Sequence, residues 1–207
     1  MRPDPELRKH LQALGHCRLC PDVVAPPVYG LPVRSPVMLI GQAPGIREQQ
    51  TLRPFAWTAG KRLFGWFESI GLPESAFRTR VYMTAVARCF PGKNPRGGDR
   101  VPSRQEIANC GTWLKTEFEL LRPRLVIPVG KLAIHALLGP GRLDATVGTL
   151  HRRQIADAAA DVVPLPHPSG ASTWIHTEPG KTLLRRALQL LAQHPDWRAM
   201  QGDRVQG

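Results

Sequence analysis

Short apolar runs alternate with amphipathic helical stretches along most of this chain, and that alternation limits the folds open to it more than any other feature. Val37-Met38-Leu39-Ile40 is an apolar run that stops at Gly41, as a buried strand entering a loop would. Leu63, Phe67 and Ile70 fall on one helical face, and Val81 to Val86 reads as the next strand. Ser103-Arg104-Gln105-Glu106 is a capping box, after which Ile107, Cys110, Leu114, Phe118 and Leu121 form one apolar stripe that turns Cys110 inward. Leu125 to Val129 is a strand, Lys131 to Leu138 a helix, and Asp161 to Leu165 a fourth strand running into Pro166-His167-Pro168-Ser169-Gly170. Thr177 is placed to cap a last helix whose Leu184, Ala187, Leu188 and Leu191 face inward.

Strands separated by helices pack as a parallel sheet covered on both faces. The expectation is therefore an α/β fold, a three-layer α/β/α sandwich around a central, mostly parallel four-stranded sheet. Residues 1–195 should form one domain with an N-terminal Cys-x2-Cys segment, and 196–207 a polar tail, with fraying from His194 onward. Ligands of such sheets bind beyond the C-terminal strand ends. Three loops are expected there: Gly41-Gln42-Ala43-Pro44-Gly45, the stretch after Val86, and His167-Pro168-Ser169.

The charge balance narrows the partner. Lys and Arg number 28 against 16 Asp and Glu, a net charge of +12 over 207 residues, which points to a polyanion and most commonly to nucleic acid. Arginines make up 22 of those cations, favouring bidentate phosphate contact over diffuse charge. Phe90 to Pro102 is loop-like and basic, with Lys93, Arg96 and Arg100 against a single Asp99. Arg152 and Arg153 are further phosphate candidates, though a solvated pair is the plainer reading. No apolar run approaches the ~20 residues of a membrane span, and Met1 to Glu6 lacks the apolar stretch of a secretory signal. A cytoplasmic monomer is expected, away from any membrane.

Four cysteines add a second constraint. Cys17 and Cys20 form a C-x2-C pair, while Cys89 and Cys110 stand alone. Two thiolates three positions apart grip one metal in a local turn, and a second pair supplied by the fold completes a four-thiolate site. The alternative is one redox or structural CxxC with two inert, buried cysteines. Spacing does not separate these, nor zinc from iron–sulfur.

Taken in order, these pieces resemble the uracil-DNA glycosylase superfamily, and its iron–sulfur members, families 4 and 5, in particular. C-x2-C comes first; Gly41-Gln42-Ala43-Pro44-Gly45 then resembles the family 4 motif GEAPG. Arg53-Pro54-Phe55 with Ala59-Gly60-Lys61 is similar to RPFVGRAGK, and Val81-Tyr82-Met83-Thr84 precedes Cys89 as in VYITNVVKC. Cys110, Pro123 to Gly130 and His167-Pro168-Ser169 complete a series spanning about Cys17 to Leu191. The resemblance implies a four-cysteine [4Fe–4S] cluster on Cys17, Cys20, Cys89 and Cys110. It also implies DNA containing uracil, or another damaged base, as substrate.

Breaking the bond between sugar C1′ and base N1 leaves negative charge on the base, so catalysis calls for donors aimed at that anion and a pocket for an extruded base. His167, held between two prolines after a strand, is the leading donor; the other six histidines lack such a context. Phe55 matches the family's stacking residue, although core packing would serve as well without the family. Gly41, Ala43, Pro44 and Gly45 form a turn whose amides can face a base, and Gly45 permits close approach. Ser169, Gly170, Ser172, Lys93 and Arg96 are candidate DNA contacts. Trp174 or Ile175 is a candidate wedge filling the gap of the flipped base, or else packs under the last helix.

Three departures stand against the family pattern. Gln42 replaces the Glu of GEAPG, and an amide takes no proton from water near neutral pH. Ala85 stands where an Asn reads the base, and Trp57 where the family has Gly. Glu48, six residues after Gln42, is a candidate replacement carboxylate, with a solvated charge as the plainer reading. Asn94 resembles the Asn of the family 5 NKP segment, which helps at that active site; Ala follows the strand there as here.

Overall fold

The structure, a computed structural model, describes residues 4–95, 97–170 and 173–202. In chain order it contains α1 (Pro5–Gly15), β1 (Val37–Gly41), α2 (Ile46–Thr51), α3 (Thr58–Ser69), α4 (Glu74–Arg80), β2 (Tyr82–Ala85) and α5 (Arg104–Leu121). These are followed by β3 (Leu125–Pro128), α6 (Lys131–Leu138), α7 (Leu143–Thr146), β4 (His151–Ile155), β5 (Ala158–Val162), α8 (Gly180–Gln193) and α9 (Pro195–Gln201). The capping box is formed as expected: the Ser103 side chain accepts from the Glu106 N–H while Glu106 accepts from the Ser103 N–H.

The strands lie in the order β2-β1-β3-β5-β4, the first four parallel and β4 antiparallel to β5. This is the three-layer α/β architecture with one strand more than expected. The extra strand, His151-Arg152-Arg153-Gln154-Ile155, is half or fully exposed and polar, so it carries no apolar signal; it occupies an edge, where only one ladder of hydrogen bonds is needed. Arg152 and Arg153 therefore sit on the outer edge of the sheet, with Arg152 3.8 Å from Asp161. The fourth expected strand starts earlier, at Ala158, although Leu165 still bridges Val129.

Alternate residues of β1 enter opposite cores, as the period of two dictates. Val37 and Leu39 pack with Phe67 of α3, Phe77 of α4 and Leu191 of α8; Met38 and Ile40 pack with Leu11 of α1 and Phe118 of α5. α8 begins at Gly180 with Pro179 as its cap residue, two residues beyond the expected Thr177 cap, and α9 follows it. The segment after His194 is a helix and not a frayed tail, because Trp197 is fully buried against Phe67 and its indole donates to the Ile70 carbonyl at 3.2 Å. Arg96, Ser172 and 203–207 lie outside the described residues. None of the described helices is long and apolar enough to cross a membrane.

Candidate active site

The strand order reverses about β1, where the chain leaves β1 toward β2 and later returns to its other side at β3. A crevice opens at such a switch point. Here it is a cavity of about 400 Å³ lined by Gly41, Ala43, Pro44 and Gly45 after β1, Thr84 and Ala85 at the end of β2, and His167 and Ser169 after β5. Glu48, Phe55, Trp57, Lys93 and Asp99 close it. Residues from five separate stretches of sequence thus meet at one rim.

Phe55 is held in the left-handed region, with φ of 52°, a conformation that costs a non-glycine residue energy. The Arg78 guanidinium holds it there, donating to the Pro54 carbonyl at 2.9 Å and the Phe55 carbonyl at 3.1 Å, and is itself paired with Glu74 at 2.7 Å. The ring lies against the bare Cα of Gly41: a Cβ there would stand 3.1 Å from the ring. Gly45 sits in a different crowding, made by the ends of two side chains. Its φ of −83° suits any residue, but a Cβ would meet Glu48 Oε2 at 2.9 Å and Asp99 Oδ2 at 3.1 Å. Two carboxylates therefore flank that turn.

His167 Nδ1 accepts from the Ser169 N–H at 3.2 Å, which leaves Nε2 to carry the proton and act as the donor. Burial pushes the imidazole below its usual range, so the ring is neutral near pH 7. Arg62 fixes the loop by donating to the Pro168 carbonyl at 2.9 Å. A second cavity, of about 500 Å³, shares Ala43, Pro44, Asp99, His167 and Ser169 with the first and adds Arg100 and Lys131. These shared residues form a wall with a basic trough behind it.

Several expected residues stand elsewhere. Gln42 lines only the second cavity, its Oε1 accepting from the Leu132 N–H at the start of α6 at 2.9 Å. Asn94 is exposed and lines neither cavity; its N–H donates to the Gly98 carbonyl at 3.0 Å. Gly170 is exposed, outside both. Trp174 packs partly buried on the core and Ile175 is buried, so neither projects as a wedge. Lys93 is at the rim, 2.6 Å from Asp99. Asp99 and Arg47 were missed as site residues. The 93–99 turn, closed by Gly97-Gly98 and a bridge between Lys93 and Asp99, was the available signal for Asp99.

The four cysteines converge on a third cavity, of about 30 Å³, lined also by Ala25, Pro27, Ala87 and Pro102. Burial, and then the neighbouring Cys110, Cys17 and Cys20 thiols, push Cys89 up to about 12. Asn109 Nδ2 donates to Cys20 Sγ at 3.3 Å. The Arg88 guanidinium is fully buried beside them, 2.7 Å from the equally buried Glu117. Thr84 donates to the same carboxylate oxygen at 2.8 Å, and His10 Nε2 lies 3.5 Å from the other. Among the described residues no three His, Cys, Asp or Glu side chains close on a single-ion position.

The family model described as the uracil DNA glycosylase superfamily matches residues 27–192. The type-4 uracil-DNA glycosylase of Pyrobaculum aerophilum is 29% identical over 138 residues, 64% of this chain and 66% of that protein. The type-4 enzyme of Archaeoglobus fulgidus is 34% identical over 100 residues, 48% of this chain and 46% of that one. The type-5 uracil-DNA glycosylase of Thermus thermophilus is 33% identical over 159 residues, 62% of this chain and 70% of that protein. The chain thus spans between about half and two thirds of the first two relatives' length. Since the matched region carries both the rim of the large cavity and two of the four cysteines, this chain belongs to the uracil-DNA glycosylase superfamily.

Proposed function

We propose that this protein hydrolyses the N-glycosidic bond of uracil, or a related damaged base, in DNA. The observation that carries the reading is His167: a neutral ring with its donor left free on Nε2, on the wall of a cavity floored by Phe55. A base extruded onto Phe55 would meet that donor and the amides of the 41–45 turn. As the C1′–N1 bond breaks, its electron pair leaves with the base and collects on the carbonyl oxygen facing His167. Water then adds to C1′ and gives up a proton. With Gln42 turned to Leu132, the carboxylates of Glu48 and Asp99 are the groups at the rim able to hold that water. Ser169, Lys93 and the trough beyond the wall would take phosphates, as the charge of +12 suggests.

Cys17, Cys20, Cys89 and Cys110 are the residues that would hold a [4Fe–4S] cluster, which when bound supplies a cross-link between the N-terminal segment, the loop after β2 and α5. Four cysteines lining one cavity suit a cluster in which each thiolate takes its own iron. Iron and acid-labile sulfide in the purified protein would test this part; stoichiometric zinc would reject it.

The decisive test is single-turnover base release from oligonucleotides bearing a panel of modified bases. His167→Ala should lower the rate by ~10²–10³-fold, as loss of one aimed donor does. No release of any base by the wild type would leave a second reading, lesion binding without turnover, which Ala85 and the diverted Gln42 favour.

A further inference from the structure

We infer that Trp57 is a stacking platform for a nucleobase of the DNA strand next to the extruded nucleotide, braced by Arg47. The inference rests on the glycosylase reading above. Of the five tryptophans, Trp66, Trp113, Trp174 and Trp197 are partly or wholly buried, whereas Trp57 is 50% exposed. It lies at the large cavity with Phe55 two residues before it, so one short segment offers two aromatic rings to one site.

The indole is not loose. Trp57 is the N-cap residue of α3, its carbonyl accepting from the Lys61 N–H at 3.0 Å. The Arg47 guanidinium, carried by α2, sits over the ring 5.0 Å from its centroid. A cation on one face and solvent beyond the rest is the posture of a ring awaiting a second flat partner. Any base presents a π-face, so stacking there is indifferent to sequence, and Arg47 adds charge that suits a phosphate backbone. Among the described residues of the segment expected to fill the stack, Trp174 is partly buried on the core and Ile175 is buried. Val101, 69% exposed beside the second cavity, is apolar but has no π-face.

The test uses the full chain and an oligonucleotide with one uracil flanked by 2-aminopurine, whose fluorescence falls when it stacks on an indole. Binding by the wild type should quench the probe. Trp57→Ala should remove that quenching and weaken binding by about tenfold, while Trp57→Phe, which keeps a ring, should bind within about threefold of the wild type. An unquenched probe with the wild type, or Ala and Phe variants of equal affinity, would overturn the inference, and the wild-type measurement needs no variant to fold. If the wild type releases uracil in a His167-dependent way yet Trp57→Ala binds unchanged, stacking alone has failed. Absence of both DNA binding and base release would instead remove the glycosylase reading.

Discussion

The large cavity and the cysteine cavity are lined by neighbouring stretches of one chain yet are built from different materials. Thr84 and Ala85 face the former, while Ala87, Arg88 and Cys89, next along the chain, face the latter. The cysteine cavity is about 30 Å³, and its chemistry resides in four side chains backed by a buried ionic network. The large cavity is more than ten times larger, and much of its lining is backbone: a glycine turn, a phenylalanine at positive φ, two loops that follow strands. One region is set by which residues are present, the other by how the chain bends. Gln49 joins them, its amide donating to the Pro26 carbonyl at 2.8 Å and accepting from the Phe90 N–H at 3.1 Å. The start of α2, which bears the large cavity's carboxylate, is thereby tied to the loops around the cysteines.

The strongest way to break this contrast is to remove the buried charge beside the cysteine cavity. Arg88→Met leaves Glu117 buried without its cation and should cost about 3–5 kcal/mol, lowering the melting temperature by roughly 10 °C. A normal melting temperature with failed base release would mean that Arg88 serves the large cavity and not the fold.

Acid probes the same network without a mutation. Burial alone would raise the Glu117 carboxyl, but Arg88, the nearby His10 and hydrogen bonds from Arg88 and Thr84 bring it down to about 2. Its folded value lies below the unfolded 4.5, so the stabilisation is whole above pH 4.5 and is lost as pH falls toward 2. That limb should amount to about 3 kcal/mol, and denaturant titrations of Glu117→Gln should lack it. His167, held low by burial, adds loss of the same sign as pH falls through 6.5, because the unfolded imidazole takes the proton first.

The smallest effect is expected where the family pattern departs most visibly. Gln42→Glu should change base release by less than about tenfold, because position 42 faces Leu132 and not the large cavity. A carboxylate at the N-terminus of α6 should stabilise the fold by about 0.3–1 kcal/mol. A rate gain far beyond tenfold would show that side chain 42 reaches the reacting water after all.

Much of this was legible beforehand. The four parallel-strand runs, the capping box at Ser103 and the inward Cys110 follow from apolar periodicity and local hydrogen bonding, which are properties of neighbours in sequence. The edge strand 151–155 was not legible, since a half-exposed strand of arginines is indistinguishable from a loop until its partner is known. The α9 helix was hidden for a related reason: its burial rests on one tryptophan meeting Phe67 and Phe77 from far along the chain.

By itself the sequence determined the layered α/β class, the basic surface and the residue types of each site, because these depend on composition and on spacings of a few residues. Only the tertiary structure decided which way each side chain faces. It turned Gln42 to Leu132, brought Asp99 beside Glu48, left Asn94 outside and set Trp57 at the mouth. Those outcomes depend on where one loop ends relative to another, and such distances are fixed only when the sheet brings the ends of its strands together.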